Sequence, residues 1–255
     1  MRKLFAISAL AGLMAVLGLS SNAQDFDPAM FKLMRPAMQI INSNPARLLM
    51  SKDVQRDLKM DDDQVKDLTA KVGMQLGGFG GPGGGPGGGG KERLAKMMDK
   101  LKDLKDVPEG KLEEKIREVF KEEIEGPMKE VQKVLKPEQV KRLYQIGRQQ
   151  GGIAILTSPD TVKELKVTDE QKTKLREISA EADKDIGELI QAAGGFMNIT
   201  AETREKMATL RKEAADKGED VLTKEQKETW KELKGEPFTG KIDQFRGPRP
   251  KKEKD

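Results

Sequence analysis

An all-α fold in two tandem helical units is the architecture this sequence predicts, and three observations predict it. The second half of the chain repeats the first. Leu48-Leu49-Met50-Ser51, then Asp57-Leu58-Lys59-Met60-Asp61-Asp62-Asp63-Gln64, returns 107 residues later as Ile155-Leu156-Thr157-Ser158, then Glu164-Leu165-Lys166-Val167-Thr168-Asp169-Glu170-Gln171. A second pair, Val134-Leu135-Lys136-Pro137-Glu138-Gln139 and Val221-Leu222-Thr223-Lys224-Glu225-Gln226, is offset by only 87, because the first copy holds a glycine-rich insert that the second lacks. The composition, with 4% aromatic and 35% charged side chains, is too lean for a thick core but suits amphipathic helices, each of which needs one apolar stripe. Finally, apolar residues recur at three- and four-residue spacings and strand signals are nearly absent.

In chain order, residues 1–23 read as a secretory signal peptide. Arg2 and Lys3 precede an apolar run from Leu4 to Leu19, and Ser21-Asn22-Ala23 supplies the small side chains a signal peptidase needs. That run is shorter than the ~20 residues of a membrane span, so no stable membrane insertion is expected. The expected product is exported, and periplasmic in a cell with an outer membrane. The chain has no cysteine, so stability outside the cytoplasm has to come from packing. The formal net charge of +4 falls to +2 once Arg2 and Lys3 are removed, which is no nucleic-acid footprint.

The first unit is placed at 24–150. Met30, Met34 and Met38 stand four apart, as soft thioether ligands for Cu(I) would. Pro36 is expected to interrupt their helix, however, and Phe31 and Ile41 beside them favour plain packing, so no metal site is assigned. Residues 77–90 comprise eleven glycines, two prolines and Phe79, a stretch expected to be a flexible loop because ordering it costs too much backbone entropy. A phosphate-cradling reading fails: Glu92, not Ser or Thr, follows Gly90-Lys91, and no strand precedes it. Beyond the loop, Leu112, Ile116, Val119, Phe120 and Ile124 share a helical face. Gly126-Pro127 is expected to kink that helix, with Met128, Val131 and Leu135 continuing the stripe.

The second unit is placed at 151–240. Leu175, Ile178, Ala182, Ile186, Leu189, Ile190 and Ala193 form one stripe on a helix from about Thr168 to Ala193, which Gly194-Gly195 ends. Thr200 opens the next helix, with Met207, Leu210 and Ala214 inward. Residues 241–255 are expected to be a disordered basic tail.

The repeated motif starts helices. Thr168 is a good N-cap whose hydroxyl accepts a backbone N–H, and Gln171 reaches back to the Thr168 amide, completing a capping box. Asp169 and Glu170 complement the helix dipole. Thr223 and Gln226 repeat the arrangement, Asp61 with Gln64 substitutes Asp for the hydroxyl, and at Gln139 the start is marked by Pro137 at the first helical position.

Leu222-Thr223-Lys224-Glu225-Gln226 matches the pattern Leu-Thr-x-x-Gln in full. Val167-Thr168-Asp169-Glu170-Gln171 differs at its first position, Leu135-Lys136-Pro137-Glu138-Gln139 lacks the Thr, and Met60-Asp61-Asp62-Asp63-Gln64 keeps mainly the Gln. Four copies at duplicated spacing behind a signal peptide, spanning most of 48–234, make the chain resemble the Spy/CpxP family of periplasmic stress proteins. The resemblance implies elongated, antiparallel helical-hairpin units that pair into a curved cradle. It also implies one of several roles: ATP-independent chaperoning of exported proteins, restraint of an envelope stress sensor, or metal response. Two units in one chain suggest an intramolecular pseudo-dimer, which does not contradict a further homodimer.

Without histidine or cysteine, the commonest general base and the strongest nucleophile are missing, and no catalytic residue or cofactor is assigned. The expected function is therefore binding: unfolded or envelope proteins held on a helical surface, with Phe79, Met97, Met98, Phe196 and Met197 as candidate client contacts near the hairpin ends. A dedicated envelope-sensor partner, or a metal-responsive protein using Met or carboxylate groups, is the alternative.

Overall fold

The computed structural model describes residues 28–76, 90–194 and 198–242. Every described secondary-structure element is a helix, and no strand occurs among the described residues. The helices are α1 (Pro28–Asn42), a 3-10 helix (Pro45–Met50), α2 (Lys52–Asp57), α3 (Asp62–Leu76), α4 (Gly90–Lys102), α5 (Glu109–Val119), α6 (Lys121–Val134), α7 (Pro137–Gln150), α8 (Ile153–Leu156), α9 (Pro159–Leu165), α10 (Asp169–Ala192), α11 (Ala201–Asp220) and α12 (Lys224–Lys234). No described helix is long and apolar enough to cross a membrane. The chain divides into two compact units, one of Asp25–Gly147 with Phe238–Asp255 and one containing Arg148–Pro237.

In the first unit α3 packs along α6, and both touch the 3-10 helix. Their shared core holds Leu49, Val54, Leu68, Met128, Val131, Leu135, Leu143 and Ile146. A second cluster unites α1 with α4, α5 and the start of α6 through Leu33, Ala37, Leu101, Leu104, Ile116 and Phe120. These two clusters explain a departure from the expected helix. The break falls at Phe120 (φ −105°, ψ 23°), and Gly126-Pro127 lies inside α6. One apolar stripe thus serves two cores: Ile116 and Phe120 fill the second cluster, while Met128, Val131 and Leu135 fill the first. An unbroken helix would hold both segments to a single stripe direction.

Two further expectations change. Pro36 does not interrupt α1, which runs through it; Met34 and Met38 on that helix are half-buried against the second cluster. Residues 238–240, expected to close the second unit, pack on the first, and Lys241-Ile242 continue the contact rather than starting a tail. Phe238 and Ile242 lie against the α3–α6 core. The Ser51 hydroxyl donates to the Lys241 carbonyl (3.0 Å), and the Lys241 N–H donates to Asp53 Oδ2 (2.7 Å). This strap has no room for a side chain at Gly240, where a Cβ would meet the Phe238 ring and stand 2.8 Å from the Asp53 Cβ.

The second unit is built on α10 and α11, which pack against each other and against α8. Gly194, at φ +79°, follows the end of α10 in a conformation that favours glycine. The core holds Leu156, Leu165, Leu175, Ala214, Leu222 and Trp230. Trp230 is 3% exposed, and its indole N–H donates to Glu219 (2.9 Å), so its burial leaves no donor unpaired. The two copies share a size compensation. Where the first unit has Ala46 and Val131, both fully buried, the second has Ile153 and Gly218. A Cβ on Gly218 would come within 3.0 Å of Ile153 Cγ1.

Candidate functional site

The four copies of the motif do more than start helices: they meet in pairs. In the second unit Gln171 Oε1 accepts the Thr168 N–H (3.0 Å) and Gln226 Oε1 accepts the Thr223 N–H (2.9 Å), while each Thr hydroxyl accepts the N–H of its glutamine, completing two capping boxes. The two amides then bond reciprocally, Gln171 Nε2 to Gln226 Oε1 (2.7 Å) and Gln226 Nε2 to Gln171 Oε1 (3.0 Å). Each remaining N–H reaches a carbonyl at the base of the other motif: Val221 O for Gln171 (2.9 Å) and Leu165 O for Gln226 (3.0 Å).

The first unit makes the same clasp. Gln64 Nε2 donates to Gln139 Oε1 (2.9 Å) and Gln139 Nε2 to Gln64 Oε1 (3.1 Å). The outward donors go to Val134 O (3.0 Å) and Leu58 O (3.0 Å). The caps are Asp61, whose Oδ1 accepts the Gln64 N–H (2.8 Å), and Lys136, whose N–H donates to Gln139 Oε1 (2.9 Å). In every case both amide hydrogens and both lone pairs of the carbonyl oxygen are used. No buried side-chain N or O atom among the described residues lacks a partner.

The clasp depends on a backbone detail before each first motif. Lys59 (φ 50°) and Lys166 (φ 53°) occupy equivalent positions in the left-handed region. There the N–H groups of Met60 and Val167 return to the carbonyls of Gln55 and Val162 (both 3.0 Å), the turn that commonly closes a helix. That turn presents the Leu58 and Leu165 carbonyls to the opposing glutamine. Sequence reasoning found the glutamines as caps and missed their pairing. The available signal was that Gln alone is present in all four motifs.

The candidate client contacts fare unevenly. Phe79, Phe196 and Met197 lie outside the described residues. Met97, only 7% exposed, belongs to the α1–α4–α5 core, and Met98 packs half-buried against it. Met97 is therefore corrected from surface contact to core: its side chain is committed to Leu33, Ala37 and their neighbours.

An open groove of about 780 Å³ lies between the far ends of α10 and α11, with Leu189 and Leu210 half-buried within it. Carboxylates from both helices line it, Asp185 and Glu188 on α10 with Glu202 and Glu205 on α11, together with Lys206. Lys206 pairs with Glu202 (2.8 Å), and its charged form is favoured by that hydrogen bond and by the Coulomb attraction. No group of three or more metal-ligating His, Cys, Asp or Glu residues occurs among the described residues.

No family model, curated protein or solved structure matches this chain.

Proposed function

We propose that this chain is an exported, ATP-independent chaperone-like protein of two tandem Spy/CpxP-like helical-hairpin units, which shields unfolded or stressed proteins outside the cytoplasm. The observation that carries the reading is the duplicated glutamine clasp. The motif behind the resemblance closes on itself in the same way in both units, through residues that the sequence varies around a constant Gln. In the second unit the clasp fixes the starts of α10 and α12, at the end where α11 finishes. The other end keeps half-buried aliphatic groups among charges, a surface suited to weak, reversible capture of unfolded chains without a nucleotide.

The test is light scattering of two unrelated unfolding proteins, with and without this protein, in the absence of ATP. Suppression of both at near-stoichiometric ratio is the expected result. Suppression of neither overturns the reading in favour of a dedicated envelope-sensor partner, which a narrow, saturable pull-down would identify.

A further inference from the structure

We propose that the groove between the far ends of α10 and α11 selects cationic, aliphatic polypeptide segments: extended stretches in which Lys or Arg flanks Leu, Ile or Val. The inference rests on the chaperone reading and names the class of client that this groove accepts.

The argument is charge complementarity around an apolar floor. Leu189 and Leu210 supply a floor on which an aliphatic side chain can be buried. Of the four surrounding carboxylates, Glu202 is paired with Lys206 (2.8 Å) and Glu188 lies 4.0 Å from Lys184, each an exposed pair within one helix. Asp185 and Glu205 have no ion pair among the described residues, so one uncompensated negative charge lines the groove from each helix.

The helix ends bias the groove the same way. α10 runs for 24 residues and has no basic side chain in its last turn, so no cation of its own offsets the negative end of its dipole beside Ala192. The N-terminus of α11, by contrast, is already complemented by Glu202. An incoming Lys or Arg therefore meets two carboxylates that have no ion pair and a helix C-terminus with no basic side chain of its own, and its aliphatic neighbour meets Leu189 and Leu210. An acidic segment meets only Lys206, already engaged.

The test is fluorescence anisotropy at low salt with the whole protein and three short labelled peptides. One carries Leu and Lys spaced by Ser and Gly, a second has Glu for Lys, and a third has Ser for Leu. The Leu–Lys peptide is expected to bind, the other two to bind at least about tenfold more weakly, and added salt to weaken binding. The pair Asp185→Lys and Glu205→Lys should lower affinity for the Leu–Lys peptide by about tenfold, with helicity unchanged by circular dichroism because Glu205 is exposed, Asp185 is only half-buried and neither belongs to the core.

Equal binding of acidic and basic peptides by the unaltered protein overturns the proposal, as does an unchanged affinity in the double variant, or no binding at all. The light-scattering assay run in parallel separates the two ideas. If aggregation is still suppressed while the charge preference is absent, the groove assignment fails and the chaperone reading stands. Peptide binding without suppression fails the chaperone reading and leaves the groove.

Discussion

Replacing Gln139 with Ala is the sharpest perturbation the clasp allows. Gln139 is 7% exposed, and its amide joins three chain segments. It accepts the Lys136 N–H at 2.9 Å, donates to the Leu58 carbonyl at 3.0 Å, and exchanges two bonds with Gln64. Truncation leaves an orphaned N–H at the start of α7, an orphaned carbonyl at the end of α2, and a Gln64 amide without its partner. At about 1 kcal/mol net for each unsatisfied site, with water repairing part of the more open Gln64 side, the loss comes to about 2–3 kcal/mol. Gln139→Glu should cost about as much, since a carboxylate keeps the cap acceptor but turns a charge toward the Leu58 carbonyl and Gln64 Oε1.

The assay is urea unfolding followed by circular dichroism, extended to a cycle with Gln64→Ala. Because the two side chains satisfy each other, the double variant should lose less than the sum of the singles by about 1 kcal/mol. A Gln139→Ala loss within about 0.5 kcal/mol, the scatter of ordinary surface changes, or strict additivity in the cycle, would refute the argument that the paired amides hold the helix starts together.

The second unit offers a graded counterpart. Gln171 and Gln226 are only half-buried, so Gln226→Ala should cost about 1–2 kcal/mol, read from the fluorescence of Trp230, the single tryptophan. Lys59→Gly and Lys166→Gly remove a left-handed strain and should each stabilise by about 1 kcal/mol in urea midpoints; destabilisation by both would show that the lysine side chains matter more than their backbones. Gly218→Val should destabilise the second unit by about 1–3 kcal/mol through collision with Ile153. Adding Ile153→Ala, which recreates the Ala46 and Val131 pair of the first unit, should recover most of that loss; no recovery would sink the idea of size compensation. Glu170 and Glu225 are each held below the ordinary glutamate range by their own backbone N–H and then by the cap hydroxyls of Thr168 and Thr223. A depressed folded value stabilises above the unfolded one, so Tm should fall as pH drops below about 4.5. The Glu170→Gln, Glu225→Gln variant should show a shallower fall, and identical profiles would count against this contribution.

What was legible in the sequence was local. Thr168, Thr200 and Thr223 cap α10, α11 and α12 through bonds that span three residues, and the stripe of Leu175, Ile178 and Ile186 needs only helical spacing to be seen. The break at Phe120, the uninterrupted helix through Pro36 and the burial of Met97 were not legible, because each depends on a cluster assembled from helices far apart in the chain. The groove falls between the two kinds. Helical spacing turns Leu189 and Leu210 inward, and only the packing of α10 on α11 shows that both stay partly open.

The strap has a consequence for the order in which this protein can be finished. A chain leaves the ribosome, or a translocation channel, N-terminus first, so Ser51 and Asp53 emerge long before Lys241 and Ile242. Until residues 238–242 arrive, the α3–α6 core waits without Phe238 and Ile242, and of the two units the one that emerges first is completed second. Its maturation is timed by residues 238–242, and a stop codon placed just after Lys234 would spare every described helix yet leave the first-made unit open on one side.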